Sequence, residues 1–310
     1  MANDWNIRLA RKINECNKQS PFKNSDPREL LNPKESTKLS KIAFLLGKLL
    51  KNELVLNYQD EFKEQLGIFK RTDNDEYSTV EYPSNENGLS LSLKIPKPPS
   101  SMPIESFNTG AIFAWPSEEI LANWCIKHSD IFKGKRVLEL GGGGCPLAGL
   151  FISISSEAEE LSLTDGNENN VRTAQTTLNI NKQKIKCLNT KSSILKWGDE
   201  LPESLRHYYD IIIAADILCF RGQDDLIDCI DWLLKPDQES FVSIVAPNRK
   251  FTSSTLSTFR DLAIAKFDVT IEEQSDPLVV SYLEKRRQQK NFIPEKHIPL
   301  TLTMKRINSN

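Results

Sequence analysis

The chain has 310 residues, a formal net charge of −2 and 39% hydrophobic residues. This length permits a large buried core, and the near balance of charge gives no general reason to expect a nucleic acid or a membrane surface as partner. No apolar run approaches the roughly 20 residues that span a bilayer, and the polar start "MANDWNIRLARKINE" lacks the apolar core of a secretory signal. We therefore expect a monomeric protein of the cytoplasm, with the nucleus as a second location.

Six cysteines are scattered along the chain without any C-x-x-C pair, and none of the three histidines has ligand spacing from a cysteine. Isolated cysteines inside apolar segments are typical of reduced, buried side chains in a cytosolic protein. We therefore predict free thiols and no metal site. The cysteines are Cys16, Cys125, Cys145, Cys187, Cys219 and Cys229.

Residues 1–100 differ in pattern from the rest and are predicted to form an N-terminal extension. A stretch from Leu39 to Leu50 has apolar residues at helical spacing, with lysines on the opposite face. Alternating residues on both sides of an Asn-Gly pair, "ENGLSLSL", predict a β-hairpin or meander. The proline-rich stretch from Pro96 to Pro103 is typical of a linker, so residues 101–310 are predicted to be the main domain.

After residue 105, short apolar runs alternate with amphipathic stretches, which predicts repeated β-α units. Runs such as "IIIAA" are continuously apolar, as in a parallel sheet buried on both faces, so the predicted fold class is α/β with a doubly wound, Rossmann-like sheet. The predicted strands are Arg136–Leu140, Leu161–Thr164, Ile185–Leu188, Asp210–Ala215, Phe241–Ala246, Phe267–Glu272 and Pro299–Met304. The predicted helices are Ser117–His128, Pro146–Ser155, Asn167–Asn181, Asp224–Leu234 and Ser254–Ala265.

The glycine-rich stretch "VLELGGGGCPLAG" follows the first of these strands and leads into a helix, where nucleotide-like ligands bind in such sheets. A Walker-type phosphate loop would need Lys-Ser or Lys-Thr where the chain has Leu150 and Phe151. A dinucleotide fingerprint would need a third glycine where Pro146 or Leu147 stands. Pyrophosphate binding is therefore disfavoured, although this pattern alone leaves it open.

Two acidic residues flank the loop and favour a ligand without phosphate. Asp165 ends the next strand, roughly 20 residues past the loop, where a carboxylate can accept the two ribose hydroxyls of a nucleoside. Glu139 precedes the glycines, with Leu140 between them, and could bind an ammonium group. Both features suit S-adenosylmethionine. The alternatives are a buried or helix-capping carboxylate at Glu139 and an N-cap at Asp165.

Four further residues are predicted to lie at the same edge of the sheet. Trp115 precedes a helix that leads to the first strand, and Trp197 follows the third strand, where an adenine would rest. Asp216 ends the "IIIAAD" strand at its carboxyl end, and the small Ala215 before it would let a nucleoside approach. A lone tryptophan is more often a core residue. The alternative for Trp115 and Trp197 is therefore that each indole packs in the hydrophobic core.

The stretches "TGAIFAWPSEEILANWCIKH", "VLELGGGG", "LTDGNENNV", "LKWGDE" and "YYDIIIAADILCF" together resemble the seven-β-strand lysine methyltransferases. Within that group they are most similar to the calmodulin-lysine N-methyltransferases, and the resemblance runs from about residue 105 to residue 306. The Trp-Pro-Ser-Glu-Glu and Thr-Asp-Gly-Asn-Glu stretches are its specific parts. The glycine loop alone would not identify the family.

The resemblance implies a Rossmann-like, seven-stranded methyltransferase sheet whose last strand is antiparallel. It also implies transfer of methyl groups from S-adenosylmethionine to a lysine ε-amine of calmodulin, with trimethylation as the expected product. Another protein target for the same chemistry is the second hypothesis, and an NAD-type oxidoreductase or an inactive binding scaffold is the third. By motif position, the cofactor would contact Trp115, Gly141, Gly142, Gly143, Asp165, Trp197 and Ala215, with Glu139 as a further contact.

The segment after the fourth strand departs from the pattern of the family, which usually has Asp-x-x-Tyr there. Here Asp216 is followed by Ile217, Leu218 and Cys219, and the aromatic residue Phe220 comes one place later. A role that depends on the tyrosine hydroxyl therefore cannot be transferred, and Phe220 is the candidate for an aromatic wall. We expect Asp216 to orient the acceptor lysine, with cofactor or backbone binding as the alternative.

A basic stretch, "YLEKRRQQKNF", could attract an acidic protein such as calmodulin. It contains Lys285, Arg286, Arg287 and Lys290, between the sixth and the last predicted strands. The alternative is an ordinary solvated face.

Overall fold

The computed structural model describes residues 66–73, 78–82, 88–93, 115–219, 222–247, 256–288, 292, 294 and 298–307. Several sequence predictions fall outside these residues and stay predictions. They are the helix between Leu39 and Leu50, the linker Pro96–Pro103 with the domain boundary at residue 100, Cys16, the aromatic role of Phe220, and Lys290.

Three short strands form an antiparallel sheet in the order β1-β2-β3: β1 (Lys70–Asp73), β2 (Ser78–Glu81) and β3 (Ser90–Leu93). Pairing between β2 and β3 continues one step further, because the Tyr82 N–H donates to the Leu89 carbonyl at 2.9 Å. Val80, Leu91 and Leu93 point to the core and their neighbours along each strand are more exposed, which is the alternation of a sheet with one buried face. The predicted meander is confirmed.

Seven strands within the described residues form one sheet in the order β6-β5-β4-β7-β8-β10-β9. The strands from β6 to β8 are parallel, and β10 runs antiparallel to both β8 and β9. This is the predicted Rossmann-like sheet with an antiparallel last strand. The strands are β4 (Arg136–Leu140), β5 (Glu160–Asp165), β6 (Asn189–Ile194), β7 (Ile211–Ala215), β8 (Phe241–Pro247), β9 (Phe267–Glu272) and β10 (Pro299–Arg306).

Helices cover this sheet on both faces and account for its apolar central strands. In β7, Ile211 and Ile213 belong to one hydrophobic cluster while Ile212 and Ala214 belong to the other. Alternate side chains of a strand point to opposite faces, so a strand covered on both sides must be apolar throughout. The helices are α1 (Pro116–Lys127), α2 (Leu147–Ser155), α3 (Glu168–Ile180), α4 (Gln223–Leu233), α5 (Leu256–Ala263) and α6 (Pro277–Arg287). None of the helices in the described part of the chain is long and apolar enough to cross a membrane.

The third strand of the main domain was wrongly predicted at Ile185–Leu188. The strand that pairs with β5 is β6, six mostly polar residues further along the chain. Because β6 is an edge strand and is mostly half-exposed or exposed, it lacks the apolar signal that marks the central strands. The apolar residues that suggested a strand are in the preceding loop, where Leu188 is 75% exposed.

Helix α6 was not predicted, although its start carries two standard signals. Pro277 occupies the first turn, and the carboxylate of Asp276 caps the helix by accepting from the Leu278 N–H at 2.9 Å. The charged residues after Tyr282 interrupt the apolar periodicity by which a helix is recognised in a sequence. Val279 and Leu283 of α6 pack into the core, and Arg286 is also buried, at 7% exposure.

The three-stranded sheet shares a hydrophobic core with the seven-stranded sheet. Phe69 packs against Phe151 of α2, with 4.9 Å between the ring centroids. The Asn181 side chain imitates a neighbouring strand: its Oδ1 accepts from the Ser92 N–H at 2.9 Å, and its Nδ2 donates to the Ser92 carbonyl at 2.7 Å. The described part of the N-terminal segment is therefore built into the core of the main sheet.

The cysteines of the described residues fit the predicted buried thiols. Cys125, Cys145, Cys187 and Cys229 are free and buried. Among the described residues, no three or more His, Cys, Asp or Glu side chains are grouped so that they could hold a metal ion.

Candidate functional site

The glycine loop, Asp165 and Asp216 meet at one edge of the sheet because three neighbouring parallel strands end there. In the register of the sheet, Glu139 of β4 lies between Leu163 of β5 and Ile213 of β7. The glycine loop after β4, Asp165 at the end of β5 and Asp216 after β7 therefore lie side by side. This is the edge at which open parallel sheets bind ligands.

Three glycines of the loop are required, either by their own backbone conformation or by their neighbours. Gly141 and Gly143 have φ values of +63° and +64°, a region that favours glycine. A Cβ at Gly141 would come within 2.8 Å of Ile217 Cγ2 and 3.5 Å of Trp197 Cζ2, and a Cβ at Gly142 would come within 2.6 Å of Pro146 Cβ. The loop is therefore a tight turn, and the Trp197 indole lies against it.

Hydrogen bonds fix the loop to the neighbouring strand. The Gly142 N–H donates to the Thr164 carbonyl at 3.0 Å, and the Gly143 N–H donates to Asp165 Oδ2 at 2.9 Å. In the other direction, the Thr164 hydroxyl donates to the Glu139 carbonyl at 2.7 Å. The relative position of the loop and the Asp165 carboxylate is thus set by the backbone of β4 and β5.

Asp165 links the loop to the start of α3. Its Oδ1 accepts from the Asn167 N–H at 2.8 Å and from Asn170 Nδ2 at 3.1 Å. Burial raises the pKa of Asp165, although these hydrogen bonds favour its ionised form. The N-cap of α3 is Asn167, whose Oδ1 accepts from the Asn169 N–H, so the capping alternative considered for Asp165 belongs to Asn167.

Glu139 lies beneath the loop and is fully buried. Its Oε2 accepts from the Gly149 N–H at 2.9 Å, while its Oε1 has no hydrogen-bond partner among the described residues. Burial, together with the neighbouring carboxyl of Glu118, raises the pKa of Glu139 well above its ordinary value. The alternative considered for Glu139, a buried carboxyl group, is therefore present in the structure.

Glu118 and Glu119, in the Trp-Pro-Ser-Glu-Glu stretch, have structural partners that sequence reasoning missed. Glu118 Oε1 accepts from the Ala148 N–H at 2.7 Å, at the start of α2. Glu119 accepts from the N–H groups of Leu66 and Ile68 at 2.9 and 2.8 Å, just before β1. Burial raises the pKa of each carboxyl to about 7. Two acids at a helix start look like ordinary favourable charges near the helix dipole, so only their position in the fold reveals these contacts.

The two tryptophans differ in how far the structure connects them to the loop. Trp197 contacts the loop at Gly141 and packs against the core cluster on that side of the sheet. Trp115 is the N-cap residue of α1, and its carbonyl accepts from the N–H groups of Glu118 and Glu119 at 2.9 and 3.1 Å. Both side chains are partly exposed. Trp115 is therefore one turn away from Glu118, which reaches the start of α2.

Ala215 and Asp216 complete the edge after β7. Asp216 has a φ of +54°, which is uncommon for a residue with a side chain, and its N–H donates to the Val245 carbonyl at 2.9 Å. Its charge lies near enough to Glu118 to raise the pKa of that carboxyl. The turn thus directs the chain out of the sheet beside the loop, while Ala215, partly buried, keeps the side-chain volume there small.

The chemistry of this edge suits a cationic nucleoside better than a phosphate. The turn is lined by glycines that leave no space for side chains, and the carboxylates of Asp165 and Asp216 lie beside it. Carboxylates attract a cation and repel phosphate. The unpartnered, buried Oε1 of Glu139 adds a polar atom behind the loop. These features fit S-adenosylmethionine, which carries a sulfonium, an ammonium and a ribose but no phosphate.

Comparison with known proteins agrees with this chemistry. A family model described as lysine methyltransferase matches residues 104–262, half of the chain. The calmodulin-lysine N-methyltransferase of Arabidopsis thaliana is 36% identical over 143 residues, which cover 46% of this chain and 47% of that protein. A UPF0665 family protein of Schizosaccharomyces pombe is 25% identical over 182 residues, covering 58% of this chain and 52% of the relative. The chain spans about half the length of the curated relatives that it matches.

Solved structures of similar shape include a SAM-dependent methyltransferase from Aquifex aeolicus, 14% identical, with a TM-score of 0.42 over 62% of this chain and 94% of the other. A likeness at this level carries no argument about function. The assignment rests on the family model, and the cofactor of that family's methyl transfer is S-adenosylmethionine. Because the model matches half of its residues, the chain belongs to the lysine methyltransferase family.

Proposed function

We propose that this protein transfers methyl groups from S-adenosylmethionine to a lysine ε-amine of calmodulin, with a trimethylated lysine as the product. The 36% identity to the Arabidopsis thaliana enzyme supports calmodulin as the acceptor. The observation that carries the chemistry is the meeting of the glycine loop, Asp165 and Asp216 at the ends of three adjacent parallel strands. This arrangement provides a cofactor-binding site and, at the same edge of the sheet, an acidic group for the acceptor amine.

Each part of this edge has a task in holding the cofactor. The backbone of Gly141, Gly142 and Gly143 passes close to the amino-acid part, and the carboxylate of Asp165 accepts hydrogen bonds from the ribose hydroxyls. The indole of Trp197 and the small side chain of Ala215 form the sides of the nucleoside site, and Trp115 closes it from the start of α1. When bound, S-adenosylmethionine supplies a methyl group activated by the positive charge on sulfur.

The protein must also hold the acceptor lysine as a neutral amine in line with the methyl group. A free lysine has a pKa near 10.4 and arrives protonated. Burial next to a positive charge lowers that pKa, and the Asp216 carboxylate holds the ammonium by a hydrogen bond until water takes the proton. Correct placement of the two reactants at about 3 Å then supplies much of the rate enhancement.

The decisive experiment incubates the purified chain with S-adenosylmethionine carrying a labelled methyl group and with calmodulin, and locates the label by mass spectrometry. We expect label on one calmodulin lysine at a mass shift of three methyl groups. The control is calmodulin in which that lysine is replaced by arginine, which should accept no label. Label on other proteins of a cell extract but none on calmodulin would contradict the proposed acceptor and favour another protein target. No label on any protein would contradict the methyltransferase activity.

A further inference from the structure

The start of α2 lacks the capping residue that helix starts usually have. Its N-cap residue is Pro146, whose side chain offers no hydrogen-bond acceptor. The first N–H groups of a helix have no partner within the helix and need one from elsewhere when they are buried. Here Ala148 and Gly149, both buried, donate instead to Glu118 of α1 and Glu139 of β4.

These two carboxyl groups form a pair in a dry environment. Glu139 is 0% exposed and Glu118 is 5% exposed. The two carboxyl groups accept from the adjacent N–H groups of Ala148 and Gly149, and burial and the charge of Glu118 raise the pKa of Glu139. The Glu139 oxygen not bonded to Gly149 has no hydrogen-bond partner among the described residues. Two adjacent carboxylates without solvent repel each other strongly, whereas one proton between them allows a strong O–H···O⁻ bond. The unpartnered Oε1 is the atom that can carry this proton.

The pair contacts the elements on both sides of the glycine loop. The loop joins β4, which holds Glu139, to α2, whose first N–H groups the pair binds. A Cβ at Gly149 would come within 2.3 Å of Glu139 Oε2 and of Leu163 Cδ2, so α2 packs directly on the carboxyl. We propose that Glu118 and Glu139 act as one positioning pair, which shares a single proton and holds the glycine loop in the shape that admits the methyl donor. This inference deepens the proposed function and rests on its cofactor.

The charged group beside the pair favours retention of that proton. Asp216 acts on Glu118 as a like charge, and burial raises the pKa of Cys145 to about 12 and that of Cys125 well above its ordinary value, so both thiols stay neutral. The charge of Arg71 acts at Cys145 in the opposite direction. Because burial raises the pKa of Glu139 well above its ordinary value in the folded protein, the fold favours the protonated form, which is lost as the pH rises through the raised value.

The test measures the dissociation constant of S-adenosylhomocysteine between pH 6.5 and pH 9 by calorimetry. Glu139→Gln keeps a donor toward Glu118 and an acceptor for Gly149 but has no proton to lose. The ammonium group of the ligand also titrates in this range, so we compare the ratio of the wild-type constant to the variant constant. We expect this ratio to rise with pH, by up to about tenfold per unit once the shared proton is lost. A ratio that stays constant would overturn the proposal.

Two further variants separate this role from a general effect on folding. Glu119→Gln changes an equally buried carboxyl on the same helix that binds the segment before β1, and it should keep the wild-type pH profile. Glu118→Ala leaves the Ala148 N–H without its acceptor, and we expect binding about tenfold weaker at pH 6.5. Wild-type binding by Glu118→Ala, or a pH profile of Glu119→Gln that follows Glu139→Gln instead of the wild type, would contradict a specific pair.

The measurement needs no acceptor protein, so it is independent of the proposed target. Normal binding with no methylation of calmodulin would contradict the proposed acceptor and leave the pair supported. No binding of S-adenosylhomocysteine by the wild type at any pH would overturn both the cofactor site and the role of the pair.

Discussion

At the scale of single residues, different structural constraints require glycine at different positions of this protein. Gly141 and Gly143 adopt positive φ values in the loop, whereas Gly149 lies in α2, where any side chain would meet Glu139 and Leu163. Glycine inside a helix normally costs about 1 kcal/mol relative to alanine, so its presence there indicates a packing requirement. The close approach of α2 to β4 supplies that requirement.

We expect Gly149→Ala to lower the free energy of unfolding by about 1–3 kcal/mol, as overpacked core substitutions do. Urea unfolding followed by circular dichroism measures this change. The matched control is Gly88→Ala, because a Cβ at that position meets no atom within 4 Å, and it should be close to neutral. A neutral effect of Gly149→Ala would show that α2 can move away from Glu139.

Asp216 is the residue for which we expect the clearest separation of binding from turnover. Asparagine keeps the size of the side chain and tolerates the positive φ of this position better than alanine. Asp216→Asn should therefore keep cofactor affinity within a few-fold and lower kcat on the order of 100-fold, because the charge that orients the acceptor amine is removed. Unchanged kcat in a methyl-transfer assay would remove Asp216 from the mechanism.

At the scale of elements, the Trp-Pro-Ser-Glu-Glu stretch joins three parts of the fold through the first turn of α1. Trp115 begins the helix, Glu118 caps α2, and Glu119 binds the segment before β1. The same short stretch thus positions the helix after the glycine loop and attaches the three-stranded sheet. Glu118 and Glu119 are adjacent in the sequence, but their hydrogen-bond partners are about 30 and 50 positions away along the chain.

We expect Glu119→Gln to lower the free energy of unfolding by about 1–3 kcal/mol at pH 5, because an amide offers one acceptor to two backbone N–H groups. Burial raises the pKa of Glu119 to about 7 from 4.5, so its contribution to stability is present below pH 4.5 and is lost as the pH rises to about 7. The difference between variant and wild type should therefore narrow by pH 8 in urea unfolding.

The surface substitution Glu239→Gln is the control for this experiment, since that side chain is 80% exposed, and it should change stability little at either pH. A difference for Glu119→Gln that widens from pH 5 to pH 8 would contradict the assignment.

At the scale of the whole molecule, the basic stretch on α6 divides into exposed and buried cations. Lys285 and Arg287 are exposed, and the Lys285 ammonium lies 4.8 Å from the centre of the Tyr282 ring. Arg286 is buried at 7% exposure, so it is unsuited to meet a partner protein. The docking hypothesis for an acidic substrate therefore narrows to Lys285 and Arg287 among the described residues.

If calmodulin is the acceptor, Lys285→Glu combined with Arg287→Glu should raise its KM about tenfold at low salt and leave kcat unchanged. The effect should shrink as ionic strength rises, because salt screens exposed charges. Steady-state kinetics at two salt concentrations measures it. Reversal of two exposed cations elsewhere, Arg260→Glu with Lys305→Glu, is the matched control, and an equal rise in KM there would point to net charge instead of a docking surface.

The sequence by itself determined most of the order of elements, the nature of the sheet and the type of ligand, but it missed α6. Continuous apolar runs marked the central strands, the departures from phosphate motifs at Pro146 and Leu150 disfavoured a phosphate loop, and the motifs identified the family. These features depend on residues that are close together in the chain or that share one environment. The edge strand β6 escaped prediction because strands at an edge need no apolar pattern.

Only the tertiary structure decided which acidic residues act together. Glu118 and Glu139 are 21 positions apart in the sequence and meet because α1 packs beside the point where β4 turns into α2. Burial, which no local pattern reveals, then raises the pKa of both carboxyl groups. A pair of this kind depends on packing between elements that are distant in the sequence. Removing both groups from water strengthens the effect of each charge on the pKa of the other.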